Sequence, residues 1–267
     1  MPKSTILTLL SDFGLSDVYV GVMKGIIAQI NPQLMVIDLT HQIPPQDLAA
    51  GRFCLMSACP YFPTETVHVA VVDPGVGSRR RAIALQLESG FFVGPDNGLF
   101  SGVLSQSSAI AVVELTNSQY WRSPTPSTTF HGRDIFAPVG AHLASGVPLE
   151  KLGKLIAPDS LVQLEIPVRK VTQTTVTGCI QYSDRFGNLV TNIPAADVAG
   201  KTWSVAIGDR LIPSGQTYSE SQVGSLIALV GSHGWVEVAV HGGNAQSQLQ
   251  LNWGAAVEVV LTTAEEY

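Results

Sequence analysis

Charge is scarce in this chain. Asp, Glu, Lys and Arg make up 13% of its 267 residues, where a soluble domain ordinarily carries about a quarter. Mean hydropathy is positive, so more apolar surface must be covered than a lone monomer needs, and we expect a homo-oligomer. Long hydrophobic runs are missing too. None approaches the roughly 18–20 residues of a membrane span, and Ile6 to Leu10 is too short for a signal-peptide core. The expectation is a soluble, cytoplasmic protein with no membrane partner. Cys54, Cys59 and Cys179 are odd in number and lack CxxC spacing, which argues against a disulfide framework or a zinc site and leaves buried thiols. The six histidines are scattered without ligand spacing, so no metal is expected. A net charge of −6 and no basic tract longer than Arg79 to Arg81 argue against nucleic acid as the main partner. Neither an internal repeat nor a low-complexity segment is present.

What the chain does have is centred on Val71-Val72-Asp73-Pro74-Gly75-Val76-Gly77-Ser78-Arg79-Arg80-Arg81. A β-branched run ends in a carboxylate, Pro and Gly turn the backbone, and three cations precede a second apolar run, Ala82 to Leu87. By itself this reads as a hairpin with a solvated basic tip. The other reading is a ligand loop, because open α/β sheets put their contacts at the C-terminal ends of strands and an Arg could bend back to Asp73.

Strands are expected over Ser4 to Leu10, Leu34 to Leu39, Thr66 to Val72 and Ala109 to Leu115. Helices are expected where Val22/Met23, Ile26/Ile27 and Ile30 recur, from Gln46-Asp47 towards Pro60, and from His131 to about Ala144. Alternation of this kind implies parallel pairing and an N-terminal α/β sheet domain over residues 1–158. Residues 159–170 lose all periodicity and read as a linker. Beyond them, short β-like runs split by Gly, Pro and Ser fill residues 171–267, giving a smaller C-terminal all-β barrel or sandwich domain. The fold class is therefore α/β followed by all-β. Asp12 and Asp17 fall on a strand-to-helix loop, where they could accept hydrogen bonds from ribose hydroxyls or an ammonium group or, for Asp17, cap the helix. His131 stands at a helix mouth, a position that favours both caps and functional groups. Asp96-Asn97-Gly98 is a turn by composition.

Six motifs in one order, SDFG with Asp17 following, VDPGVGSRR, PDNGLF, FHGRDIFAP, DRFGNLVTNI and GGNA, resemble the S-adenosylmethionine (SAM) hydroxide adenosyltransferases. These are SAM hydrolases forming adenosine and methionine, related to the SAM-dependent fluorinases and chlorinases. The resemblance spans Ser11 to about Ala245. It implies an N-terminal α/β domain, a C-terminal β-barrel, and a homotrimer with active sites at subunit interfaces. SAM is then a substrate, and no cofactor is needed. The resemblance assigns Asp12 to the ribose, Asp17 to the neighbourhood of the methionine portion, and Phe130 to the flank of the substrate. It gives Asp184 the methionine ammonium, Ser232 the methionine carboxylate, and Asn188 with Asn244 and Ala245 the adenine. Asp73, Arg80 and His131 match the hydrolases' set around the nucleophilic water, the seven-residue step from Asp73 selecting Arg80 among the three arginines.

The halogenases resemble this chain but carry Tyr where it has Asp73 and lack the His at position 131. The fluorinase also has Thr in place of Val76, an extra N-terminal loop, and an Arg where this chain has Gly243. A halide needs only desolvation, whereas water must also lose a proton, to His131 or to Asp73. Two other readings are open: a SAM or adenosine sensor without turnover, and a nucleoside or sugar-phosphate enzyme using Gly75-Val76-Gly77 as a phosphate cradle.

Overall fold

A computed structural model describes residues 6–262. The first two residues of the strand expected from Ser4 lie outside that range. Two compact units divide the chain, Met1–Leu164 and Glu165–Tyr267.

In the first unit, β1 (Ile6–Ser11), β2 (Met35–Thr40), β3 (Val67–Val71), β4 (Ala82–Leu87), β5 (Gly90–Pro95), β6 (Ala111–Glu114) and β7 (Lys154–Leu155) form one sheet in the order β2-β1-β3-β5-β4-β6-β7. Parallel pairing joins β2, β1, β3 and β5, as the strand–helix alternation implies. The remaining pairs are antiparallel. The hairpin reading needs correction here. Gly90–Pro95, not among the expected strands, is a mostly buried strand. It inserts between β3 and β4, so the 72–81 segment is not a hairpin turn. That segment is a crossover lying at the C-terminal end of the parallel strands, where ligand contacts are placed.

Residues alternate across the sheet. Leu7, Leu9, Val67, Val69 and Val71 pack with Met23 and Ile27 of α1 (Tyr19–Ile30) and with Val139 of a later helix in one core. On the opposite face lies α2 (Leu48–Ala58), where a β-carbon at Gly51 would press on Val72 and Leu99. Asp47 caps α2, accepting from the Ala50 N–H at 2.9 Å. A short α3 (Ser101–Gln106) packs beside it. The final helix, α4 (Ala137–Ala144), is entered through a π-helical turn, Gly132–Phe136.

Residues 156–164 hold only one 3-10 turn, Pro158–Ser160, and a bridge from Gln163 to Gly98, and they are tied to this unit. The Val162 N–H donates to Asp96 Oδ1 (2.9 Å) and the Leu164 N–H to Ser101 Oγ (2.7 Å). Pro167 belongs to the second unit, its carbonyl accepting from Asn192 Nδ2 at 2.8 Å.

The second unit is an antiparallel sheet of eight strands: β8 (Lys170–Val171), β9 (Thr175–Ser183), β10 (Leu189–Pro194), β11 (Thr202–Ile207), β12 (Arg210–Pro213), β13 (Leu226–Val230), β14 (Trp235–Val240) and β15 (Ala256–Thr262). Its order is β12-β11-β15-β9-β10-β14-β13, with β8 on β9. A bridge from Ser214 to Ala228 brings the two ends together, so the sheet curls into a near-barrel around Val176, Ile180, Val205, Val238 and Val259. Two short helices, α5 (Ala195–Val198) and α6 (Ala245–Leu249), follow β10 and β14.

Candidate active site

The four parallel strands of the first unit end at Ser11, Thr40, Val71 and Pro95. Asp12, His41, Asp73 and Asp96 therefore lie in the loops at one edge of the sheet. The three consecutive arginines part ways there. Arg79 is exposed. Arg81 turns to the nearly buried Asp96, its Nε at 2.8 Å and its Nη2 at 2.6 Å from Oδ2, and so fastens the PDNG turn. Arg80 folds back onto Asp73: Nε donates to Oδ1 at 2.9 Å while Nη2 donates to Oδ2, a two-pronged pair. Their side chains are 9% and 5% exposed.

Arg80 Nη2 also meets His131 Nδ1 at 2.8 Å. A guanidinium only donates, so Nδ1 must accept, and a neutral His131 carries its proton on Nε2. Burial and the Arg80 charge both push the His131 pKa below its ordinary 6.5, against smaller opposite pulls from Asp73 and Asp134. Asp73, Arg80 and His131 are thus one hydrogen-bonded row. Arg80 further lies over the Phe136 ring, 5.1 Å from its centroid.

Local sequence explains how these side chains meet. Gly77 has a φ of +76°, and a β-carbon there would overlap the Thr128 carbonyl oxygen, so only glycine lets the 127–130 loop close over the turn. That loop is anchored by the buried Asp134. It accepts from the Ser127 N–H (2.8 Å), Arg133 Nε (2.7 Å) and Arg122 Nη1 (3.2 Å). Desolvation opposes the Asp134 charge, but these donors outweigh it and hold the carboxyl pKa at about 2. The π-helical turn, one residue wider than an α-turn, begins directly after His131 and sets where its ring projects.

Asp12 Oδ2 accepts from the Gln46 N–H at 2.8 Å. Asp17 is exposed on the loop before α1. Phe130 meets Phe13 and Tyr19 edge-to-face, and those two rings are tilted against each other, with centroids 5.2–5.9 Å apart in all three pairs. Sequence reasoning missed Phe13, directly after Asp12, Tyr19, two residues after Asp17, and Gln46. The last has a φ of +66°, which no residue preference announces.

In the second unit, Asp184 closes the DRFGN turn. Its Oδ1 accepts from the Phe186 (2.9 Å) and Asn188 (2.8 Å) N–H groups, and its Oδ2 from Asn188 Nδ2 (2.9 Å). Asn188 is 8% exposed. Gly187 has a φ of +82°, and a β-carbon on it would overlap the Asn244 side chain. Asn244 in turn caps α6, accepting from the Ser247 N–H at 2.7 Å, while Ala245 is fully buried. Asp184, Asn188, Asn244 and Ala245 are therefore gathered into one packed pair of loops. Ser232 lies exposed in the turn between β13 and β14. Beside it the buried Glu237 accepts from Tyr218 (2.6 Å) and pairs with His233 (2.9 Å). Among the described residues, no group of three or more His, Cys, Asp or Glu is arranged to hold a metal ion.

Comparison with known proteins agrees with this division. Residues 7–153 match the SAM hydroxide adenosyltransferase N-terminal domain, and residues 178–258 match the C-terminal domain of the same family. The chain is 39% identical over 260 residues to a protein of Salinispora arenicola named (R)-S-adenosyl-L-methionine hydrolase, covering 97% of this chain and 99% of that one. A protein of the same name from Thermus thermophilus is 40% identical, covering 94% and 98%. Fluorinases match at greater distance, that of Nocardia brasiliensis at 26% identity, covering 96% and 97%. A crystal structure of an uncharacterised conserved protein from Thermotoga maritima superposes with a TM-score of 0.89 at 34% identity, covering 95% and 99%. Matched by both domains of one family over nearly its whole length, the chain belongs to the SAM hydroxide adenosyltransferases.

Proposed function

We propose that this chain hydrolyses S-adenosyl-L-methionine to adenosine and L-methionine. The observation that carries the reading is the Asp73–Arg80–His131 row at the C-terminal edge of the parallel strands. A water oxygen attacks ribose C5′ in line with the C5′–S bond. The sulfonium departs as a neutral thioether with the bond's electron pair, so no general acid is needed. One proton is released. Arg80 cannot be its acceptor, and in the present tautomer His131 offers Nε2–H as a donor. These limits favour Asp73 as acceptor. Water attacking C5′ becomes far more acidic as the C–O bond forms, so even an ion-paired carboxylate suffices. Arg80 and His131 stabilise charge on the oxygen.

In the same reading, Asp12 holds the ribose, Asp17 lies near the methionine portion and Phe130 flanks the substrate. Asp184 and Ser232 take the methionine ammonium and carboxylate, and Asn188, Asn244 and Ala245 take the adenine. The relatives' names support the (R) sulfonium epimer as the preferred substrate. A homotrimer in a cytoplasmic setting completes the proposal. The low charge content and the exposed Leu15, Val18 and Tyr19 support assembly.

A phosphate-cradling loop is disfavoured. Arg80 and Arg81 are neutralised by Asp73 and Asp96, and the face of Gly77 is closed by the Thr128 carbonyl, which repels an anion. The function is tested by incubating the protein with SAM, with and without excess chloride, and identifying the nucleoside. Adenosine with methionine in both cases supports the hydrolase. A 5′-chloro-nucleoside would move the chain to the halogenases, and intact SAM with measurable binding would make it a sensor.

A further inference from the structure

His41 stands outside every role assigned above, yet it is 3% exposed and polar on both ring nitrogens. Its Nδ1 lies 2.7 Å from the hydroxyl of Ser11, which is fully buried. Its Nε2 lies 3.1 Å from Asp38 Oδ1, and Asp38 Oδ2 accepts from Lys24 at 2.6 Å. Ser, His and Asp in a row suggest a nucleophile, but Ser11 is sealed from solvent and cannot reach a substrate.

The row instead staples two loops. Ser11 Oγ accepts from the Phe13 N–H at 3.3 Å, and the His41 carbonyl accepts from the Gly14 N–H at 2.8 Å. Asp12 lies between these two points. Farther along the His41 loop, Gln46 adopts its left-handed backbone and gives its N–H to Asp12 Oδ2. A left-handed non-glycine residue is strained and persists where surrounding contacts hold it. One carboxylate oxygen is thereby fixed by a backbone donor.

We propose that His41 is a positioning residue. Through Ser11 and its own carbonyl it holds the 11–14 loop so that the Asp12 carboxylate is aimed at the hydroxyls of a ribose. This rests on the ribose role proposed for Asp12. Its consequence is specific, because loss of His41 should erase recognition of the hydroxyls while sparing contacts to the base.

The test compares binding of adenosine with 2′-deoxyadenosine and 3′-deoxyadenosine by calorimetry, in the full-length protein and in His41→Phe and Ser11→Ala. The wild-type protein should favour adenosine over at least one deoxy analogue by about tenfold or more. In both variants the ratio should fall towards about one, through loss of adenosine affinity with deoxy affinity kept, and for SAM turnover KM should rise more than kcat falls. A merely structural role would weaken all three ligands alike and leave the ratio intact. Folded variants that keep the wild-type ratio would overturn the inference while leaving the hydrolase reading standing. A wild-type protein that binds adenosine without discrimination would instead remove the ribose role of Asp12, and the inference with it. Should His41→Phe not fold, Ser11→Ala, which removes only one hydroxyl, decides the matter.

Discussion

Replacing Arg80 by Lys separates charge from geometry at the proposed catalytic row. The guanidinium reaches Asp73 with two nitrogens and His131 with one of the same two, at 2.9 Å for Nε–Oδ1 and 2.8 Å for Nη2–Nδ1. A lysine ammonium is a single point and cannot span both partners. Arg80→Ala would strand the buried Asp73 charge and cost about 3–5 kcal/mol of stability, confusing folding with catalysis. Lys keeps the countercharge near Asp73, so the fold should survive. What goes is an oriented donor on the attacking oxygen, ordinarily worth about 100- to 1000-fold in kcat, equivalent to about 3–4 kcal/mol of barrier. Adenosine release at saturating SAM, followed by chromatography alongside a thermal melt, should show kcat down by about 100-fold with KM nearly unchanged. A loss confined to KM, or a folded variant within about fivefold of wild-type kcat, would refute the argument.

Asp12→Ala should do the reverse, raising KM for SAM more than it lowers kcat; an unchanged affinity in calorimetry would count against the ribose assignment. Because burial and Arg80 hold the His131 pKa below 6.5, kcat should be level from pH 8 down to 6.5. It should fall only below that, as a proton on Nδ1 faces the Arg80 donor, and a rate that rises on acidification would contradict the accepting Nδ1. His68 is fully buried against Phe92, and burial brings its pKa down from 6.5 to about 4. The unfolded chain therefore takes up a proton that the folded protein refuses between those values, and stability should drop by up to about 3 kcal/mol as pH falls through that window. Urea titrations of wild type and His68→Gln should show a steeper drop in the wild type through that window; equal slopes would remove His68 as a cause.

Much of the architecture was legible because local pattern and fold agree. The period of the apolar residues in 22–30, the abrupt end of the 66–72 run at Asp73, and the short Gly-split runs after 171 each report which face is buried. That an Arg could bend back to Asp73 was legible from the strand end and the turn residues; which of the three does so came from the family resemblance, and the structure pairs Arg80 with Asp73. Sheet order was not. That β5 lies between β3 and β4 depends on long-range pairing, which no local window reports. Gln46 could not be found because its backbone is held left-handed by its surroundings rather than by its own preference. Nothing in the local sequence marks His41, whose contacts come from Ser11 and Asp38, residues on neighbouring strands.

The central claim, that water is the nucleophile at C5′, is tested most directly by turnover of SAM in ¹⁸O-labelled water with mass analysis of both products. The account predicts one labelled oxygen in adenosine, on the 5′-hydroxyl, and unlabelled methionine. Unlabelled adenosine, a 5′-halo-nucleoside, or 5′-methylthioadenosine in place of adenosine would contradict it.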